Sequence, residues 1–287
     1  MLIGSHVSIV GGLPSAAKEA VSYGANTFML YTGGPKNSRR YGFDVFAEKM
    51  KIDEGKAYMK QHGIGDIVVH APYILNMASP KDENFEFSAG FLKDELQRAD
   101  MLGAKWVVVH PGAFTESSAE AGIKRIQDAL NIAVTAETTA LVCLEMMAGK
   151  GTELGKNFDE MPRIIDGVRQ KDRVAVCFDT CHAHDGGYDI VNDFEGVMAD
   201  FNKTLGADKL AVFHINGSLN ERGAKKDRHA NIGAGEDNPT GIDKIGFEAI
   251  YRIVHSIHSA GKPLILETPW LDEKTNLYKE EIVRLRG

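Results

Sequence analysis

The sequence predicts an α/β fold, a (β/α)8 barrel, from three observations. Eight short apolar runs recur along 287 residues, each followed by a stretch with helical spacing. The runs are continuous and rich in Val, Ile and Leu, as strands buried on both faces require. Almost every run ends on a residue that carries chemistry, and barrels build their sites at the C-terminal ends of their strands.

The elements follow in order. LIGSH (2–6) reads as a first strand, with helical spacing from Pro14 to Tyr23. TFMLY (27–31) precedes a helix over 44–62, and DIVVH (66–70) precedes one over 86–102. In the latter, Phe91, Leu92, Leu96, Ala99 and Leu102 make one apolar stripe. WVVVH (106–110) stops at Pro111-Gly112 and precedes a helix over 118–138. LVCLE (141–145) precedes 158–170, and VAVCFD (174–179) precedes 189–205. LAVFH (210–214) leads into a long loop and a helix over 241–260; PLILE (263–267) precedes 273–286. Gly24-Ala25, Gly103-Ala104, Gly206-Ala207 and Ala260-Gly261 mark helix exits. A doubly wound open sheet would suit fewer strands and often brings a Gly-rich phosphate loop, which is not found. No linker or low-complexity stretch interrupts the repeat, so residues 1–287 are assigned to one barrel domain.

Composition sets bounds on function. With 43% hydrophobic and 25% charged residues the chain can build a full core. The net charge of -7, from 33 basic and 40 acidic residues, argues against indiscriminate nucleic-acid binding. It leaves room for a local basic rim or bound cations that reverse the field. Cys143, Cys177 and Cys181 are an odd set, read as reduced thiols of a cytosolic protein. The start MLIGSHVSIVGG lacks a leader pattern, and no apolar run approaches the roughly 20 residues of a membrane span. The expectation is a soluble, cytoplasmic protein with no membrane partner.

The eight run ends are His6, Tyr31, His70, His110, Glu145, Asp179, His214 and Glu267. Packing alone gives no reason to gather unpaired His, Glu and Asp on one rim, because buried charge is costly. Metal cations offset that cost. FDTCH adds His182, three residues after Asp179, and KDRHAN adds Asp227 and His229, two apart on one side of extended backbone. Nine donors exceed the three protein ligands of a single catalytic zinc. They suit two or three ions that share carboxylates; mixed imidazole and carboxylate donors favour Zn²⁺, with Mn²⁺ or Fe²⁺ as substitutes. His6 is not counted as a ligand. His62, His255 and His258 are read as surface or interhelical, and Trp106 as core. Cys181 is read as packing or as support behind the donors, His184 and Asp185 as buttresses of His182, and Trp270 as either meeting DNA or covering the barrel rim.

Eight stretches in family order carry a resemblance: GSHVS (4–8), VHAPY (69–73), VVVHPG (107–112), LE with AGKG (144–151), FDTCHAHDGGYD (178–189), FHIN (213–216), DRHANIG (227–233) and LETP (266–269). On these motifs the chain resembles the endonuclease IV family of apurinic/apyrimidinic DNA repair endonucleases. The resemblance implies a (β/α)8 barrel that hydrolyses the phosphodiester 5′ to an abasic site, leaving a 3′-hydroxyl and a 5′-deoxyribose phosphate. It implies three Zn²⁺ ions: one on His70, His110 and Glu145, one on Glu145, Asp179, His214 and Glu267, and one on His182, Asp227 and His229. Glu145 and Glu267 are the expected catalytic residues. The family often has Asn-Thr where Met146 and Met147 stand, and an Asp where Gly217 stands.

The expected partner is double-stranded DNA with abasic sites, met by a monomer. The loop GGPKNSRRYG (33–42) offers Lys36, Asn37, Arg39, Arg40 and Tyr41; the loop after strand three offers Tyr73, Leu75 and Asn76. The strand-seven loop adds Arg222, Lys225, Lys226 and Arg228. Basic and aromatic residues together suit phosphate contact and insertion into the gap at a missing base. A sugar isomerase or epimerase is the rival enzyme, but it needs one or two ions and no basic loops. A non-enzymatic DNA-binding barrel would have no need for the donor cluster.

Overall fold

Alternation along the strands sets the architecture. The computed structural model describes residues 1–287 and contains eight parallel strands in one sheet. They are β1 (Leu2–Ser5), β2 (Met29–Leu30), β3 (Val68–His70), β4 (Trp106–Val109), β5 (Leu141–Glu145), β6 (Val174–Asp179) and β7 (Leu210–Ile215). A small antiparallel hairpin of β8 (Gly217–Ser218) and β9 (His229–Ala230) follows, and β10 (Pro263–Leu266) completes the sheet. The sheet runs β1-β10-β7-β6-β5-β4-β3-β2 and closes through the parallel bridge His6–Met29, where Val7 N–H donates to Met29 O at 2.9 Å. The TIM barrel is the predicted fold.

Inside the barrel, Met29, Val68, Trp106, Val108, Cys143, Ala175, Cys177, Val212 and Ile265 form one sealed cluster. Their outward neighbours, such as Val69, Val107, Val109, Leu144 and Phe178, join a larger belt against the helices. The period of two therefore carries each inward register forward: Val68 to His70, Val108 to His110, Cys143 to Glu145, Cys177 to Asp179, Val212 to His214 and Ile265 to Glu267. Trp106 is core, as its place at a strand start predicts.

The helices are α1 (Leu13–Ser22), α2 (Phe43–Lys49), α3 (Ile52–Gln61), α4 (Asp82–Leu102), α5 (Ala119–Ala133), α6 (Glu160–Asp166), α7 (Thr180–Gly186), α8 (Phe194–Thr204), α9 (Phe247–Val254) and α10 (Tyr278–Arg286). Several depart from the predicted spans. The helix expected over 44–62 is broken between α2 and α3, where Lys51 adopts a left-handed φ of 49°. The unpredicted α7 starts directly after β6, because the Asp179 side chain caps it by accepting His182 N–H at 2.8 Å. The last two helices are shorter than expected, and residues 231–246 are loop apart from short turns.

Two carboxylates hold that loop: Glu281 accepts Ile232 N–H at 2.8 Å, and Asp243 gathers the rest. Asp243 accepts N–H bonds from Ser218 (3.0 Å), Gly233 (2.9 Å), Ile245 (2.9 Å) and Gly246 (3.1 Å). A Cβ at position 217 would stand 2.7 Å from the same carboxylate, which explains why Gly217 is there. Asp243→Ala leaves four donors without their acceptor and should cost about 2 kcal/mol. Urea denaturation measures this; an unchanged midpoint would show that water replaces Asp243 without loss.

Candidate metal centre

The strand ends converge on Glu145, which closes β5 on its inward face and is buried. Its Oε2 lies 3.1 Å from His70 Nε2 and 3.1 Å from His110 Nε2. Its Oε1 lies 3.1 Å from His214 Nδ1 and 3.3 Å from His182 Nδ1. Glu267 Oε2 stands 2.9 Å from His214 Nδ1, and Asp227 Oδ1 stands 3.2 Å from His182 Nε2 and 3.5 Å from His229 Nε2. Within each of three sets the donor atoms lie no more than 4.8 Å apart: His70, His110 and Glu145; Glu145, Asp179, His214 and Glu267; His182, Asp227 and His229. The structure thus brings all nine predicted donors together.

Backbone acceptors orient the rings. His70 Nδ1 faces the Ala71 carbonyl at 2.6 Å, His182 Nδ1 the Met146 carbonyl at 2.9 Å, and His229 Nδ1 the Glu267 carbonyl at 3.2 Å. A proton on each Nδ1 leaves Nε2 as the free electron pair a cation needs. His229 Nε2 is buried without a hydrogen-bond partner and fits such a ligand position. The Met146 side chain packs in the outer core, so the departure from the family pattern touches that ring only through its carbonyl. His184 and Asp185 do not buttress His182. His184 Nε2 faces the Asn220 carbonyl at 3.1 Å, while Asp185 accepts Asp227 N–H at 2.8 Å and fixes that residue's left-handed turn.

Asn216 was not singled out by sequence. Its Nδ2 donates to Asp179 at 2.8 Å, and its Oδ1 accepts Glu267 N–H at 3.0 Å. Its position two residues after His214, on the same inward register, is the signal that marks it.

The charges fit cations. Burial alone would raise the Glu145 carboxyl, but the facing His214 and His110 rings outweigh it and hold the carboxyl well below the ordinary range. Burial likewise works against Asp227, yet the His182 contact pulls it down to about 2. Burial disfavours a charged His182, and Asp179, Asp227 and Glu145 overturn that preference, so its pKa stands well above the ordinary histidine value. Four carboxylates with five imidazoles form the hard and intermediate donor set that divalent Zn, Mn or Fe takes. Cys181 lies near Asp179 and His229, but burial and the adjacent carboxylates push its thiol far up, so it stays neutral. His6 is in none of the groups; burial lowers it to about 4, leaving a neutral ring 4.8 Å from Tyr31.

The surrounding loops sort the DNA-facing candidates. Lys36, Asn37, Arg39, Tyr41, Tyr73 and Arg228 are exposed. Arg40 is not available: its side chain is 2% exposed, its Nε donates to Thr32 Oγ1 at 2.7 Å and stands 3.3 Å from Glu95, and its Nη1 donates to the carbonyls of Gly34, Asn37 and Arg39. It holds the loop shut. Leu75 is also wrong, being 4% exposed, whereas its neighbour Ile74 is 40% exposed. Asn76 is spent on backbone: it donates to Ala113 O and accepts from Ala113 and Ala78 N–H.

Known proteins share this geometry's frame. The family model described as xylose isomerase-like TIM barrel matches residues 17–287. A protein of Geobacillus sp. (strain WCH70) named probable endonuclease 4 is 50% identical, covering 99% of this chain and 94% of its own. Its namesake from Shouchella clausii is 48% identical over 100% and 96%. The crystal structure of endonuclease IV from Thermus thermophilus superposes with a TM-score of 0.82 at 28% identity, over 99% and 98% of the two chains. A D-tagatose 3-epimerase-like protein, at 18% identity and a TM-score of 0.66, shares the fold.

Metal binding to this cluster must displace protons. The His182 ring holds its proton above the usual range, so a cation competes with protons and binds more tightly as pH rises. Zinc titration calorimetry near neutral pH, in two buffers of different ionisation enthalpy, should give different heats. Equal heats in both buffers would remove the proton from the exchange.

Proposed function

The chain belongs to the endonuclease IV family, and on that premise we propose that it is an apurinic/apyrimidinic endonuclease of base excision repair. It cuts the phosphodiester 5′ to an abasic site in duplex DNA and leaves a 3′-hydroxyl and a 5′-deoxyribose phosphate. The observation that carries this reading is the sharing of Glu145 between two donor groups, with a third group beside them. One barrel domain, acting as a monomer in the cytoplasm, would suffice for the reaction. No helix is long and apolar enough to cross a membrane.

Three Zn²⁺ ions, replaceable by Mn²⁺ or Fe²⁺, would be held one to each donor group. Bound there, they would supply charge neutralisation of the phosphate, activation of water and stabilisation of the leaving oxygen. The protein's own groups do the positioning. Glu145 bridges two donor groups and keeps their separation fixed. Glu267 differs from the sealed Glu145 and Asp179 in being 13% exposed on its side chain. That exposure suits it to orient the attacking water, and the His214 ring beside it keeps its carboxylate charged. Tyr73 stands with its ring 5.6 Å from His110 and 5.7 Å from His70, over the centre, where it can cover an extruded sugar. An abasic nucleotide lacks stacking, so its extrusion costs less than that of a paired base. Exposed Lys36, Arg39 and Arg228 would meet flanking phosphates, and Ile74 with Tyr73 would fill the gap in the stack.

Two experiments test this. The native protein should nick a duplex carrying one abasic analogue, and a chelator should abolish the nick. Glu145→Ala, which removes the shared bridge, should lower turnover more than about 100-fold and reduce bound metal. A duplex left intact by native, metal-loaded protein would end the endonuclease reading. Separately, Arg40→Gln should raise KM for the abasic duplex about tenfold, with kcat and metal content unchanged, because the loop loses charge-assisted bonds rather than a substrate contact. A fall in kcat at constant KM would instead place Arg40 at the reacting phosphate.

A further inference from the structure

Two of the segments that carry donors meet behind the metal centre. The His229 ring faces the Glu267 carbonyl at 3.2 Å, and Asn231 Nδ2 donates to the Pro269 carbonyl at 2.9 Å. The loop after β7 and the turn after β10 therefore share one seam. His229 belongs to the donor group with His182 and Asp227, and Glu267 to the group with Glu145, Asp179 and His214. The seam thus sets how far these two groups stand apart.

A third element reaches across it. Glu281, in the first turn of α10, is 3% exposed. Its Oε1 accepts Ile232 N–H at 2.8 Å and Asn231 Nδ2–H at 3.4 Å, and its Oε2 accepts the Thr268 hydroxyl at 2.6 Å. Ile232 stands three residues after His229, and Thr268 directly follows Glu267. One carboxylate thus holds both donor-bearing segments, a different one with each oxygen. Its support is firm, because Ile282 and Leu285 on the same helix are fully buried.

Helix stability alone is a poor reason for such a group. None of its hydrogen-bond partners is charged, and burial raises its carboxyl to about 7 against the pull of Thr268, Ile232, Asn231 and the more distant Arg284. A carboxylate buried on neutral donors costs free energy that an apolar side chain would not. What it supplies is direction. We propose that Glu281 is a positioning residue of the metal centre, bracing the group of His182, Asp227 and His229 against the group that contains Glu267. It touches neither substrate nor metal and acts through the two segments. The inference rests on these donors being metal ligands.

The test measures zinc binding rather than turnover. Metal-free protein is equilibrated with Zn²⁺ buffered by a chelator of known affinity, and bound zinc per chain is counted by atomic absorption. Glu281→Leu removes both acceptor oxygens at similar volume, and Thr268→Val removes only the hydroxyl. Each should need about tenfold more free Zn²⁺ than the native protein to bind its last ion, with the remaining zinc held as in the native protein. Thr268→Ser keeps the hydroxyl and should bind zinc as the native protein does. Leu285→Ala loosens α10 without touching the carboxylate; it should lower the melting temperature and leave zinc binding unchanged. Native zinc binding by a folded Glu281→Leu overturns the inference, and if that variant does not fold, native zinc binding by Thr268→Val does so. A zinc loss in Leu285→Ala equal to that of the other variants also overturns it, because Glu281 would then serve only the helix. A native protein that binds no zinc overturns the metal centre itself.

Discussion

Everything at the barrel mouth depends on the contact of Glu145 with four imidazoles. A carboxylate sealed from water is costly unless positive charge or donors surround it. Glu145 has His70 and His110 on one oxygen and His182 and His214 on the other, delivered by β3, the β4 end, α7 and β7. No two of these rings are sequence neighbours, so the contact exists only in the closed barrel. Closure itself is slight, a bridge between His6 and Met29, and the sealed interior cluster beneath keeps the strands in register.

A second layer converts proximity into orientation. Met146, Ala71 and Glu267 give carbonyls to ring nitrogens, and Asn216 ties the Asp179 carboxylate to the Glu267 backbone. Asp185 extends this to the loop after β7 by accepting from Ser218 Oγ, Asn220 Nδ2 and Asp227 N–H. The partners of the three rings are backbone carbonyls. This is why side-chain changes from the family pattern at Met146 and Gly217 leave the donor geometry standing: one contributes a carbonyl, and the other yields space to Asp243.

The barrel and its six strand-end donors were legible in the sequence because both follow a period of two, whereas Asp227, expected on extended backbone with His229, sits in a left-handed turn. Once Val68, Val108, Cys143, Cys177, Val212 and Ile265 are inward, the residues two further on must be inward as well. The loops carry no such period, and there reading by residue type failed. Arg40 looked like a phosphate contact because arginines often are, yet Glu95 and Thr32, neither of them its chain neighbour, bury its guanidinium. Leu75 was expected among the DNA-facing residues, but the chain turns so that Ile74 faces outward instead. Asn76 looked free, but the backbone at Ala113 uses it. These outcomes depend on contacts between loops, which composition and spacing do not encode.

The negative net charge is consistent with a DNA substrate once charge is located rather than summed. The nine donors contribute four carboxylates, and these cluster at the mouth, where divalent cations would turn an acidic pit into a cationic one. Around it, Lys36 and Arg39 stand exposed on the loop after β2 and Arg228 on the loop after β7. With a net charge of -7 over the whole chain, attraction for DNA would rest on the rim cations and the metal together. The geometry keeps two kinds of group apart: the exposed cations stand on the loops, and the buried donors lie at the mouth beside the Tyr73 ring.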